Sequence, residues 1–180
     1  MKPLLLFDAV SLRRGGRLLL ERLDLTLGPG EAVHVTGPNG SGKSSLIRLA
    51  AGLLRAEAGR VERTSVALSD DTLALDRELP LRRAMQFWSA EAGMEAMGLA
   101  SLADVPVRLL SSGQSKRASL ARVASSGAAL WLLDEPLNGL DADGVARLDA
   151  LIASHRSKGG AVLVASHSPL VGEWARLELR

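Results

Sequence analysis

The chain contains no cysteine. Disulfides, thiolate zinc sites and a cysteine nucleophile are therefore excluded. There is no tyrosine, and only two Phe and three Trp, so few aromatic rings are on hand to stack on a base. Charge of one sign is also scarce. Lys+Arg is 22 and Asp+Glu is 20, a formal net charge of +2. Eighteen of the cations are arginine, and no block of five or six occurs. A polybasic membrane anchor is not indicated, and nucleic acid is not an expected partner. Long hydrophobic runs are missing too. Leu4 to Phe7 is four residues before Asp8, whereas a signal peptide needs a longer apolar region and a small-residue cleavage site. Ala128 to Leu133 is six residues, against the roughly 20 that cross a bilayer. Work at a membrane would need a partner that supplies the spanning segments.

What is present is an ordinary globular composition of 180 residues, 47% hydrophobic and 23% charged. That length suits one domain, 1–180, with room for a small insertion. Leu18 to Leu27 alternates imperfectly and reads as a strand of an N-terminal β-rich region. Ala32 to Thr36 is a short strand, and Gly37 to Gly42 a glycine loop. Ser44 to Leu54 carries Leu46, Ile47, Leu49, Ala50 and Leu53 at helical spacing. Residues about 72 to 126 read as mostly helical, an inserted α-helical subdomain. Ala128 to Leu133 and Ala161 to Ala165 are unbroken apolar runs, as in parallel strands buried on both faces. Val145 to His155 is helical again. Strands alternating with helices predict an α/β fold with a mostly parallel sheet.

Three motifs carry chemistry. Gly37-Pro38-Asn39-Gly40-Ser41-Gly42-Lys43-Ser44 fits the phosphate-loop pattern G-x-x-x-x-G-K-[ST]. Its glycines let backbone N–H groups turn inward around phosphate oxygens, and the helix N-terminus adds partial positive charge. Lys43 is expected on the β- and γ-phosphates, and the Ser44 hydroxyl on Mg²⁺. Leu130-Trp131-Leu132-Leu133 delivers Asp134 and Glu135 to the end of a buried strand, where α/β folds bind ligands. Asp134 is expected to hold Mg²⁺ and Glu135 to act as general base on water. Leu110-Ser111-Ser112-Gly113-Gln114 precedes a helix, Ser115 to Val123, that Ser111 can cap.

In this order the three motifs resemble those of the ATP-binding-cassette (ABC) ATPases, a P-loop NTPase family, over nearly the whole chain. The resemblance makes Gly37–Ser44 the Walker A loop, Leu130–Asp134 the Walker B strand, and Leu110–Gln114 the family signature, with Ser112 where glycine is usual. Leu137-Asn138-Gly139-Leu140-Asp141 becomes the D-loop and His167 the switch histidine at the γ-phosphate. It implies ATP and Mg²⁺ as ligands and a second nucleotide-binding domain docked head to tail. Ser111, Gly113 and Gln114 would then act on the partner's ATP. It further implies membrane subunits driven through the helical subdomain.

Two departures stand out. The aromatic residue that stacks on adenine is replaced by Arg13 or Arg14, whose planar guanidinium can also stack. The Q-loop glutamine is missing, and Asp70 or Asp71 occupies its place. The short chain, with no coiled-coil insertion and no zinc site, disfavours the excision-repair and chromosome-maintenance branches; an exporter of lipid, peptide or metal is the alternative to the reading that follows, and a soluble ATPase switch in translation or repair a further one. Leu-Trp-Leu-Leu-Asp-Glu at 130–135, Asp-Gly-Val-Ala-Arg-Leu at 143–148 and His-Ser-Pro-Leu at 167–170 resemble the ATP-binding subunits of bacterial haem exporters in cytochrome c maturation. That implies a peripheral subunit on the cytoplasmic face of the inner membrane. His34, His155 and His167 are scattered, so no haem is expected on this chain.

Overall fold

The computed structural model describes residues 2–180. Two sheets divide the chain. Strands β1 (Leu5–Arg14), β2 (Arg17–Leu27) and β4 (Ala58–Arg63) form an antiparallel sheet in the order β2-β1-β4. Strands β3 (Ala32–Thr36), β5 (Val66–Ser69), β6 (Leu130–Asp134), β7 (Ala161–Ala165) and β8 (Ala175–Glu178) form a wholly parallel sheet in the order β5-β6-β7-β3-β8. The expected α/β class is thus the observed one, with helices on both faces of the parallel sheet.

The unbroken apolar runs follow from two-sided burial. Leu130 and Leu132 of β6 enter one core with β1, β2 and helix α1 (Lys43–Ala51). Trp131 and Leu133 enter a second core with helices α4 (Ser112–Ser125) and α5 (Ala142–Ser157). Strand β7 divides likewise, Ala161 and Leu163 against Val162 and Val164. The Trp131 indole stacks on His155 of α5, with ring centroids 3.9 Å apart. Gly160 makes that possible, since a Cβ there would lie 2.2 Å from the imidazole.

Local departures from the sequence reading have plain causes. Helix α1 stops at Ala51 rather than Leu54, because Gly52 turns left-handed (φ 79°) and its N–H bonds back to Arg48 and Leu49. Strand β1 was not apparent from sequence, although its register with β2 and β4 builds the first sheet. No helix covers residues 72–79. Helical structure starts with α2 (Leu81–Ala84) and α3 (Glu91–Ala96), interrupted by 3₁₀ turns at 86–88, 100–102 and 107–109. Helix α4 is longer than the expected 115–123 because it begins at Ser112, directly after its cap Ser111, and runs on to Ser125. Among the described residues, no helix is long and apolar enough to cross a membrane.

Candidate functional site

Three adjacent strands, β6, β7 and β3, end at one edge of the parallel sheet. After β3 the chain enters Gly37–Gly42. Gly37 has φ 144°, and a Cβ there would lie 2.4 Å from the Leu179 carbonyl. Only glycine fits that position. Gly42 stands as the residue before α1 with φ 105°, and no side chain caps this helix or puts an acid in its first turn. Its first N–H groups are left without intrahelical partners, beside partial positive charge. Lys43 is buried, and its Nζ donates to the Gly37 carbonyl (2.8 Å) and the Pro38 carbonyl (3.1 Å). The Ser41 hydroxyl is buried with no partner. A cavity of about 620 Å³ opens here, lined by Arg14, Asn39, Gly40, Lys43, Ser44 and Glu135 among others.

Asp134 closes β6 and is 5% exposed. Burial pushes its carboxyl up, the nearby Ser44 hydroxyl pulls it down, and Asp71 and Glu135 push it up again. Its Oδ1 is buried and unpartnered. An orphaned carboxylate oxygen beside a serine hydroxyl is an all-oxygen donor set of the kind Mg²⁺ prefers. The residues present therefore fit the ion.

Glu135 follows in the left-handed region, φ 45°, with its N–H on the Ala165 carbonyl at 2.8 Å. For a side-chain-bearing residue this costs roughly 1–2 kcal/mol. It breaks the strand's alternation, so that Glu135 lines the cavity although Asp134 immediately precedes it. His167, after β7, donates from Nδ1 to Glu135 Oε2 at 2.9 Å, and its backbone N–H reaches the same oxygen at 3.4 Å. An acid held by a histidine beside a phosphate loop can orient and deprotonate water.

Arg14 and Arg13 part company at the β1–β2 turn. Arg14 reaches the Ser45 hydroxyl at 3.4 Å and lines the cavity, whereas Arg13 turns to the Gly16 carbonyl and Glu57.

A second cleft, of about 560 Å³, shares no lining residue with the first. It holds Ser111, Gly113 and Gln114 of the α4 N-terminus with Gly139 and Asp141. Ser111 Oγ accepts from the Gln114 N–H (3.2 Å), and Gln114 Oε1 accepts from the Ser111 N–H (2.9 Å), a reciprocal capping box. A Cβ on Gly113 would lie 2.6 Å from the Gly139 carbonyl. Asp141 caps α5 by accepting from the Gly144 N–H at 2.8 Å, and it also pairs with Arg117. These two bonds hold its carboxyl below the usual carboxylate range.

Sequence reasoning missed Arg117 and Arg147. Arg117 reaches Asp141, Asp143 and the Met97 carbonyl; Arg147 reaches Asp143 (2.7 Å) and the Ala96 carbonyl (3.2 Å). Together they tie the end of α3 to the starts of α4 and α5. Asp143–Arg147 carried a signal, the four-residue spacing of a helical ion pair. Arg117 carried none, because its acids lie 24 and 26 residues further on.

This fold and phosphate loop define a P-loop nucleotide-binding domain. Residues 20–138 match the family model described as ABC transporter, and the chain belongs to the ABC transporter ATPase family. It is an ATP-hydrolysing, ATP-binding subunit of that family, whose members work with membrane subunits. Within the family it is similar to the cytochrome c biogenesis ATP-binding export protein CcmA of Sphingopyxis alaskensis, with 56% identity over 94% of this chain and 93% of that one. The protein of the same name from Novosphingobium aromaticivorans is 57% identical over 93% of this chain and 90% of its own. A solved ATP-binding subunit of an ABC transporter has the same fold, with a TM-score of 0.84 and 21% identity over 91% of this chain and 79% of that one.

Proposed function

We propose that this chain is the ATPase of a bacterial exporter serving cytochrome c maturation, with haem as the exported cargo. The similarity to export proteins named for cytochrome c biogenesis, sustained over more than nine tenths of both chains, carries the biological assignment. The contact between His167 and Glu135 at the phosphate cavity carries the chemical one.

In this reading the backbone of Gly37–Ser44, with Pro38, Asn39, Gly40, Ser41 and Gly42, cradles the β- and γ-phosphates of ATP. Lys43 leaves its two loop carbonyls to meet them. Ser44 and Asp134 hold Mg²⁺, which when bound offsets the phosphate charge. Glu135 takes a proton from the attacking water, and His167 keeps its carboxylate aimed while facing the γ-phosphate. Arg14 lies along the adenine. Ser111, Gly113 and Gln114 complete the site of a second copy, and Asp141 fixes the D-loop between them. Two clefts without a common residue suit such a head-to-tail dimer, since ATP bridges one cleft of each chain. Residues about 72–126 form the helical subdomain that meets integral membrane subunits at the cytoplasmic face of the inner membrane. No haem sits on this chain.

The test is affinity purification of tagged Glu135→Gln from its native membrane with ATP and Mg²⁺. Recovery of cytochrome-maturation membrane subunits is the expected result. Recovery of a different permease would replace the cargo, and recovery of ribosomes or DNA-bound proteins would reject the transporter role.

A further inference from the structure

The loop after β5 carries two adjacent acids, Asp70 and Asp71. Asp70 is already engaged: its Oδ1 accepts from the Thr72 N–H at 2.9 Å, and its charge acts on Arg122. Asp71 acts on Asp134 and on Lys116, and Asp70 acts on Lys116 as well. Asp70 and Asp71 line one cleft with Lys116, whose Nζ also meets the carbonyl of Asp134 at the end of β6, next to Glu135. Bound triphosphate would add more negative charge at the same edge.

Lys116 also reaches this region. It lies on α4, two residues after Gln114, and is half-buried. Its Nζ donates to the Asp134 carbonyl at 3.4 Å. It borders a cleft of about 270 Å³ with Asp70, Asp71, Ser112 and Asn138. Among the described residues it forms no ion pair within 4.0 Å with any one acid, so its charge is shared among Asp71, Asp134, Asp70 and Glu135. A half-buried ammonium gives up hydration to stand there, and Asp71 is the strongest of the acids acting on it.

We propose that Lys116 is a positioning residue of the nucleotide site: its ammonium offsets Asp71 and the end of β6, so that an acidic loop can stand beside bound phosphates. Because Lys116 belongs to the signature helix, it also ties that helix to the Walker B strand within one chain. The inference rests on ATP binding at Gly37–Ser44.

The experiment is calorimetric titration of ATP into the full chain at fixed ionic strength, with and without Mg²⁺. Charges several ångströms apart near a surface make about a five- to tenfold difference in affinity. Lys116→Met is expected to weaken Mg²⁺-free ATP binding by about that factor, and to weaken binding less when Mg²⁺ is present. Lys116→Arg should bind as wild type, and Lys116→Met with Asp71→Asn should recover wild-type affinity. Asp71→Asn alone should tighten Mg²⁺-free binding, which keeps the test open if Lys116→Met does not fold. Unchanged Mg²⁺-free affinity in both single variants overturns the inference. So does a loss in Lys116→Met that Asp71→Asn does not repair. Wild-type chain that binds no ATP, or Lys43→Ala that binds it normally, would instead overturn the nucleotide site and this inference with it.

Discussion

Helices α1 and α4 both begin beside a cleft, and their N-termini are finished in opposite ways. At α1 no side chain caps the helix, Ser41 Oγ and Asp134 Oδ1 are buried without partners, and Lys43 is parked on two loop carbonyls. At α4 a capping box closes the helix, and Asp141 and Arg117 satisfy the neighbouring α5 start. Buried polar groups without partners are costly. A protein retains them where something else completes them. The α1 end therefore has the unsatisfied groups that a ligand can complete, and the α4 end has its helix start satisfied within the chain.

The largest way to sharpen that contrast is chemical. Glu135→Gln keeps an acceptor for the His167 Nδ1–H but cannot take a proton. Turnover should fall by about 10² to 10⁴, while ATP affinity measured by calorimetry stays near wild type. Full turnover would place the base elsewhere. Next comes Lys43→Ala, which removes a charge-assisted contact worth about 1.5–3 kcal/mol, or roughly ten- to a hundredfold in affinity. Equilibrium binding of ATP reads that loss directly.

On the α4 side the expected effects change character. Gly113→Ala drives a methyl group into the Gly139 carbonyl. Chemical denaturation should show a loss of about 1–3 kcal/mol, with ATP affinity of the lone chain unchanged. Reduced ATP affinity there would break the separation between the halves. The smallest effect is one of pH. Asp141 is held below its ordinary value of 3.8 by Gly144 and Arg117, and Asp143 by Arg147. A depressed carboxyl stabilises the fold above the unfolded value, and that contribution is lost as pH falls through the folded one. Asp141→Asn should therefore flatten the decline in thermal stability below about pH 4, and leave the ATP-dependent stabilisation at pH 7 untouched.

The two halves were unequally legible in the sequence. Gly37–Ser44 could be read because backbone geometry demands glycine at fixed places and the strand–loop–helix context is local. Asp134 could be read because an unbroken apolar strand ends there. The Glu135–His167 contact could not be derived from spacing, since two strands must first lie side by side; the resemblance put His167 only at the γ-phosphate, and its bond to Glu135 is visible in the fold alone. Arg117 was invisible for the same reason. Strand β1 was hidden because its register with β2 breaks repeatedly between Phe7 and Arg13, which blurs the alternation that marks a strand. The acids of the β5 loop were noticed as a departure, but Lys116 was not, because its neighbours come from three separate segments of chain.

The most direct test of the contrast is amide hydrogen exchange on dilute Glu135→Gln, with and without ATP and Mg²⁺. ATP should protect residues 37–45 while leaving 111–114 unchanged until the concentration allows two chains to meet. Protection of 111–114 in the dilute chain, or none at 37–45, would contradict the division of the molecule into a ligand-completed half and a self-satisfied half.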